Sequence, residues 1–450
     1  MRTTFSNLII ALFLALAGNA ATARPDDTLI SQLISQGQFA TAQEVLAQGD
    51  PSELDELFFI ARVFKATGRA EEAVAALVEI LNRDPNYINA RRELAHTLLT
   101  TGRYDAAQTQ LDMLKRVDSN PQMQAGYQQM LSIIAQNRPF GISGVFAFLP
   151  STNINKGTSN TVFDTVLGTL VIDPESRPDS GVGLQLGVSG YFRKVINERS
   201  RISLQWSAAQ NFYQNPRNAS ITGEISIPYE VRFAKGGFSL APYYRASWGS
   251  LKTSDASGTY GDPVYIPAAY AENAFTLQAT GLRAAADWRV SAQNRLALAL
   301  TYEERDYPHA SYQNGAFSSE TLRFSRQISP SLSYQIGATF EQSIPFAGTS
   351  AHLAYNGGKL FASVNKAWDG GLRTGFGLEA GYRQFIGDFP LTTAPRADDF
   401  YGVNFSLSHA RVQIAGFVPS LRCDYTLNTS NVAFFDFEVV NCTIGISKEF

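Results

Sequence analysis

Arg295-Leu296-Ala297-Leu298-Ala299-Leu300-Thr301-Tyr302-Glu303 decides how the larger part of this chain folds. Leu296, Leu298, Leu300 and Tyr302 fall on one parity; Arg295, Ala297, Ala299, Thr301 and Glu303 fall on the other. A strand sends successive side chains to opposite faces, so the stretch has one oily face and one polar or small face. The same two-residue period recurs on both sides. Between Ser331 and Glu341, Leu332, Tyr334, Ile336, Ala338 and Phe340 alternate with Ser333, Gln335, Gly337 and Thr339. From Arg201 to Ala209, Ile202, Leu204 and Trp206 oppose Arg201, Ser203, Gln205 and Ser207. Near the end, Leu421, Cys423, Tyr425 and Leu427 oppose Ser420, Arg422, Asp424, Thr426 and Asn428.

Alternation is shared with soluble sandwiches, so length and connection pattern must separate the two. The alternating segments run roughly 10 to 16 residues, where soluble strands average five or six. Strands of that length suit a tilted crossing of a bilayer. Short turns are expected at Ile196 to Arg199, Lys235-Gly236-Gly237, Ser291 to Asn294, Ser329-Pro330-Ser331 and Asp369-Gly370-Gly371. Longer links are expected at Ser151 to Gly181, Ser250 to Glu272, Asp306 to Ala316 and Gly387 to Asp398. Short and long links take turns, as periplasmic turns and extracellular loops do in an antiparallel transmembrane β-barrel, and the count comes to about 14 strands. Asn356-Gly357-Gly358 reads as a candidate extra turn that would change that count by two. The barrel must close, because an open edge in lipid leaves backbone groups unpaired.

Upstream of Pro139 the period changes from two to helical. Thr67-Gly68-Arg69-Ala70-Glu71-Glu72-Ala73 recurs as Thr101-Gly102-Arg103-Tyr104-Asp105-Ala106-Ala107. The offset is about the 34-residue period of tetratricopeptide repeats. With Pro85 closing one repeat, Leu57, Ile60, Ala61, Phe64, Ala73 and Leu77 take the packing positions, and Gly37-Gln38-Phe39 with Ala42 looks like half of an earlier, degenerate repeat. Such units stack into a short superhelix with a concave face that suits a peptide or protein partner.

The two ends agree with export to an outer membrane. Arg2, the apolar run Leu8 to Ala17 and the small residues Ala21-Thr22-Ala23 read as a signal peptide over 1–23, too short to span a bilayer. No cysteine stands directly after its cleavage site, where Arg24 lies instead, so the chain is not expected to be a lipoprotein itself. Residues 24–138 are then a periplasmic all-α repeat domain and 139–450 the barrel, in a Gram-negative cell. At the other end Ile444, Ile446, Lys448 and Phe450 alternate toward a terminal aromatic, like the signal read by the barrel-assembly machinery. The chain has 35 Gly, 19 Tyr and 30 Phe but a net charge of only -3. Glycine and aromatics at that level suit strands ending in aromatic girdles against outer-membrane lipid, and a basic excess that would signal nucleic acid is missing.

Pro150-Ser151-Thr152-Asn153-Ile154-Asn155 resembles the Pro-x-x-Asn-Ile-Asn stretch that opens the barrel of the surface lipoprotein assembly modulators, the Slam family. Gly416-Phe417-Val418-Pro419 is similar to their Gly-Phe-x-Pro, and Ser430-Asn431 followed by Phe435-Asp436-Phe437 to their Ser-Asn turn and aromatic-Asp-aromatic run. The ending Lys448-Glu449-Phe450 resembles their Lys-x-Phe. The resemblance implies a 14-stranded outer-membrane barrel that helps client proteins reach the cell surface. It implies clients that are surface lipoproteins or small secreted proteins, and repeats that engage the client or a periplasmic chaperone. A second function fits the same architecture, an exopolysaccharide export porin, although such exporters usually carry longer repeat arrays.

Little in the chain points to chemistry. His96, His309, His352 and His409 have no metal-ligand spacing, and no nucleophile elbow or phosphate-binding loop is present. His96 fits a packing position of a repeat helix and His309 a loop. Gly375-x-Gly377 lies in an alternating strand, where small residues on the lumen face explain it. No enzyme and no cofactor are expected. Cys423 and Cys442 lie on the last two strands at similar distances from the turn, on the lipid-facing parity. A cross-strand disulfide and two buried thiols both fit that placement in an exported chain.

Overall fold

The computed structural model describes residues 25–118, 120–254, 269–409, 412 and 418–449. The expected signal peptide, Gly416, Phe417 and Phe450 lie outside the described residues. The chain divides between Arg138 and Pro139 into two compact units.

The first unit holds seven helices among the described residues: α1 (Pro25–Ser35), α2 (Phe39–Ala47), α3 (Glu53–Ala66), α4 (Ala70–Arg83), α5 (Ile88–Thr100), α6 (Tyr104–Val117) and α7 (Pro121–Asn137). They form three hairpins and a closing helix, because the same turn chemistry is used three times. Gly37, Gly68 and Gly102 sit between paired helices at φ of 75°, 81° and 77°, a left-handed conformation that only glycine adopts without strain. Five residues after each glycine, Ala42, Ala73 and Ala107 are completely buried, and their small side chains let the two helices of a hairpin approach. α3–α4 and α5–α6 are the two full tetratricopeptide repeats, and the α1–α2 hairpin is the degenerate one. Ser52 starts α3 with a reciprocal capping box to Asp55, and Asn120 with Pro121 starts α7.

One core runs through α3–α7 around Leu77, Ile80, Leu94, Leu111 and Tyr127, and a smaller one joins α1, α2 and Phe59. Ile60 departs from its expected packing position: it is 42% exposed, and its neighbour Phe59 takes the buried place. The core against which Phe59 turns belongs to the degenerate hairpin, whose packing the repeat consensus does not describe. A buried polar joint ties α7 to the last repeat. Asp118 accepts from Tyr127 Oη at 2.6 Å and from Arg92 Nη2 at 2.7 Å, while Arg92 Nε donates to Tyr127 Oη at 2.8 Å.

The second unit is a closed antiparallel β-barrel. Its strands are β1 (Phe140–Ser151), β4 (Gly181–Val195), β5 (Ser200–Phe212), β6 (Ser220–Ser226), β7 (Tyr229–Phe233), β8 (Gly236–Ser254), β9 (Ala269–Arg289), β10 (Asn294–Asp306), β11 (Gly315–Ser329), β12 (Leu332–Pro345), β13 (Tyr355–Ala367), β14 (Leu372–Asp388), β15 (Pro395–His409), β16 (Val418–Ser430) and β17 (Phe437–Glu449). Each pairs with its neighbours in chain order, and β1 pairs with β17 to close the ring. The short β2 (Val162–Thr165) and β3 (Gly168–Val171) form a separate hairpin in the first long loop. β6 and β7 are two halves of one stave, each pairing with β5 and β8, so the fifteen strands of the sheet make fourteen staves. Pro228 divides them, but the wall stays bonded there: Ile227 N–H donates to Pro242 O at 3.0 Å and Ser203 N–H to Pro228 O at 2.9 Å.

Asn356-Gly357-Gly358 is not a turn; it lies inside β13, between Gln342-to-Phe340 on one side and Gln384-to-Tyr382 on the other. The glycines make room for large neighbours. A Cβ on Gly357 would lie 3.1 Å from the Glu341 side chain and 3.2 Å from that of Arg383, and one on Gly358 would lie 3.2 Å from the Tyr382 ring. Ring-over-glycine pairs recur along the wall: Tyr191 over Gly141, Tyr243 over Gly281, Phe361 over Gly337 and Phe400 over Gly381. Much of the glycine and aromatic content therefore packs strand against strand instead of forming girdles alone. β8 and β9 also reach farther than expected, into the Ser250 to Glu272 link, and two long-side loops at 213–219 and 346–354 were not foreseen.

Outward parity is apolar all round: Phe148, Leu204, Leu300, Leu322, Ile336, Leu360, Phe376, Tyr401 and Ile444 are all exposed. A soluble protein rarely exposes a contiguous oily patch beyond a few hundred Å², whereas a belt on a closed sheet is what lipid requires. No helix among the described residues is long and apolar enough to cross a membrane; the strands cross it.

Candidate functional site

The inner face of the barrel carries charge in neutralised groups. Glu303, only 3% exposed, accepts from Tyr243 Oη at 2.5 Å, from Arg245 Nη2 at 2.9 Å and from Arg305 Nε at 2.6 Å. Beside it Arg283 grips both oxygens of Glu224 at 2.6 and 2.8 Å, and its guanidinium lies 3.7 Å from the centre of the Tyr243 ring. Arg383 donates to Glu341 at 2.7 Å, Lys359 to Glu379 at 3.1 Å, and Arg422 pairs with Asp424 at 3.0 Å. The strands order these groups because lumen-facing residues of neighbouring staves stand side by side. Paired charges leave little net field, so the lining is wet and polar without the single-sign ring of an ion filter.

The inner face of β1, β4 and β5 is different. Ser143 and Ser189 share a 2.7 Å hydrogen bond, and Gln185 donates to Asn211 at 2.9 Å. A cavity of about 300 Å³ is lined there by Gly141, Ser143, Ser189, Tyr191, Gln205 and Glu224.

The Pro-x-x-Asn-Ile-Asn and Ser-Asn residues that carried part of the family resemblance meet at one rim of the barrel, while Pro419 and Lys448 lie toward the opposite ends of β16 and β17. Pro150 is the last residue but one of β1, and Asn153, Ile154 and Asn155 lie at the start of the long loop that follows it; Ser430 ends β16 and Asn431 starts the loop to β17. These two loops are neighbours because β1 pairs with β17. Asn153, 2% exposed, donates to Glu438 O at 3.0 Å and to Gly157 O at 2.8 Å, and its Oδ1 accepts from Gly157 N–H at 2.8 Å. Thr158 and Asn160 donate to Ala433 O at 2.9 and 3.0 Å, and Asn160 also donates to Asp436 at 3.1 Å. Ser430 N–H donates to Asp436 at 2.6 Å. Asn155 holds the loop's return, donating to Arg177 O and accepting from Asp179 N–H, while Ile154 N–H donates to Asp179 O. Asn431 joins the start of β15 through Ala397 N–H and Pro395 O. Thr158 and Asn160 were missed in the sequence, because nothing local in Thr158-Ser159-Asn160 reveals a partner some 275 positions away.

Ile444 and Ile446 face outward on β17 opposite Phe148 and Phe146, and the Lys448 backbone pairs with Gly144. Pro419 stands opposite Ile446 in β16. Cys423 and Cys442 are directly opposed in β16 and β17 and are bonded. Among the described residues, no His, Cys, Asp and Glu side chains are grouped to hold a metal ion. His96 is buried in α5, as a packing residue; burial first, then the charge of Lys65, holds its imidazole down to about 4, with Glu93 opposing.

Fold and lining define a class: tetratricopeptide repeats followed by a transmembrane β-barrel of the outer-membrane type, with a polar, self-neutralised lumen. Residues 64–130 match the tetratricopeptide repeat family, and residues 141–450 match the family described as surface lipoprotein assembly modifier. A surface lipoprotein assembly modifier of Pasteurella multocida (strain Pm70) is 22% identical over 429 residues, covering 86% of this chain and 75% of its own. Among solved structures, a FadL homologue of Pseudomonas aeruginosa is 11% identical at a TM-score of 0.36, covering 69% of this chain and 89% of its own. OmpF of Salmonella typhi in complex with daunomycin is 9% identical at a TM-score of 0.36, covering 69% and 97%. This chain belongs to the surface lipoprotein assembly modifier family. It is an assembly factor and not an enzyme.

Proposed function

We propose that the chain assists translocation and surface display of particular client proteins, surface lipoproteins or small secreted proteins, across the outer membrane. The observation that carries this reading is the family match over residues 141–450, which takes in the whole barrel with its rim cluster. In this reading the mature chain follows a cleaved signal peptide, and the barrel is inserted by the barrel-assembly machinery through its C-terminal alternation. The repeats lie in the periplasm and engage the client or the chaperone that delivers it. The concave face of stacked repeats suits an extended polypeptide, and a wet lumen of paired charges suits a chain of mixed composition better than one small solute.

The test is a deletion strain. The client should still be made, yet be lost from the cell surface or the medium, as read by protease shaving of intact cells and blotting. Normal client display without the gene would reject the proposal.

A further inference from the structure

We infer that the junction of β1 and β17 is a lateral gate that opens toward lipid during client passage, held shut by the side-chain latch on the long-loop rim. The inference rests on the display function proposed above. β1 is paired to β17 from Ser143 to Phe148 and again at Ser151, and the ladder lapses at Leu149 and Pro150, opposite Thr443 and Cys442. The reason is local. Thr152 N–H donates to Val440 O at 3.1 Å, so the even-numbered residues of β1 turn their backbone toward β17, and Pro150 is one of them. Proline has no N–H to give the Cys442 carbonyl. Inside a bilayer no water replaces the missing donor.

On either side of this line the wall is firm. β1 pairs with β4 without a break from Phe140 to Ser151. β17 pairs with β16 from Phe437 to Ser447 and is stapled to it by Cys423–Cys442, at the level where its other edge meets Pro150. The strand break at Pro228 is no rival, since hydrogen bonds cross it on both sides. Above the lapse, Asn153, Thr158 and Asn160 reach over the junction to Glu438, Ala433 and Asp436. Weak pairing, a reinforced C-terminal hairpin and a side-chain latch coincide on one line. A client bearing acyl chains needs such a side exit, because its lipid has to leave a polar lumen for the outer leaflet.

The test locks the junction in the full-length protein in cells. A Cβ built on Gly445 lies 3.1 Å from Ala147 Cβ, a few tenths of an ångström inside the roughly 3.5–4.5 Å of a disulfide, so with a small parting of the two strands Ala147→Cys with Gly445→Cys closes the junction on the inner face, away from the native bond. Gly187→Cys with Ala209→Cys, 3.7 Å by the same construction, locks β4 to β5 as a control. The expected result is at least a tenfold loss of surface client with the junction locked, recovered on reduction, and unchanged display with the control lock and in reductant-treated wild type. Phe146→Cys with Ile446→Cys gives a second lock if the first variant does not insert. Normal display through a junction shown to be cross-linked overturns the gate while leaving the display function standing. Equal loss with both locks also overturns it, since stiffness anywhere would then suffice. If the wild-type chain makes no difference to display, the display function falls, and the gate with it.

Discussion

The side-chain amide of Asn153 donates to the backbone carbonyl of Glu438, 3.0 Å away and 285 positions along the chain. The same side chain closes its own loop through two hydrogen bonds with Gly157. A buried amide removed without replacement costs roughly 1–3 kcal/mol for each partner left unsatisfied. Asn153→Ala should therefore lower the temperature at which the barrel loses its compact mobility on unheated gels. Asn153→Asp keeps the acceptor for Gly157 N–H but sets a carboxylate oxygen against the carbonyls of Gly157 and Glu438, so at neutral pH it should be at least as damaging as the alanine variant. An unchanged transition in Asn153→Ala would mean that water or the backbone replaces the contacts.

Glu303 serves three donors at once. Removing its charge leaves Arg245 and Arg305, 29% and 25% exposed, without their carboxylate; breaking a fully buried pair from one side costs about 3–5 kcal/mol, and water at the two arginines lowers that figure here. Glu303→Gln should destabilise the detergent-solubilised barrel more than Tyr243→Phe, which deletes one hydrogen bond to a charged group, worth about 1.5–3 kcal/mol. Denaturant unfolding read by tryptophan fluorescence, all four tryptophans being in the barrel, would compare them. Equal effects would show that the arginines find other partners.

Cys423 and Cys442 close a loop of sequence separation 19, for which chain-entropy arguments give about 3 kcal/mol. The hairpin ladder runs on both sides of the bond, so Cys423→Ala with Cys442→Ala should still fold but unfold at lower denaturant. Non-reducing and reducing gels of the wild type should differ in mobility. Identical unfolding midpoints would place the stabilisation elsewhere.

His96 gives the helical unit a pH dependence of known sign. Its folded value of about 4 lies below the unfolded 6.5, so between these values the unfolded chain holds a proton that the folded chain refuses. Stability is complete above pH 6.5 and falls as pH drops toward 4, by about 3 kcal/mol over the whole window. Unfolding followed by helical ellipticity at pH 7.0, 5.5 and 4.5 should show this decline, and His96→Leu should flatten it. The same slope in the variant would assign the effect to other groups.

What could be read without coordinates was whatever is encoded by neighbours in the chain. Alternation from Arg295 to Glu303 already separated the exposed Leu300 from the buried Glu303, because side-chain parity is a property of one strand. The repeated Thr-Gly-Arg at 67–69 and 101–103 located the helix turns, because a left-handed residue calls for glycine wherever it falls. The failures also have local causes. Ile60 was misplaced because the core that buries its neighbour Phe59 belongs to another hairpin, and Gly357-Gly358 looked like a turn because the Tyr382 ring and the Glu341–Arg383 pair that need the space come from other strands.

The period of each segment, the place where helices give way to strands, and the oily face of each strand are all set locally, since they follow from backbone geometry and the order of residues. Which residues meet across the barrel is settled by its closure. Closing the barrel sets Pro150 against Cys442, Asn153 against Glu438 and Glu303 among two arginines and a tyrosine. Those encounters depend on the register of staves far apart in the chain, and register is fixed by packing and pairing around the whole ring, which no local pattern records.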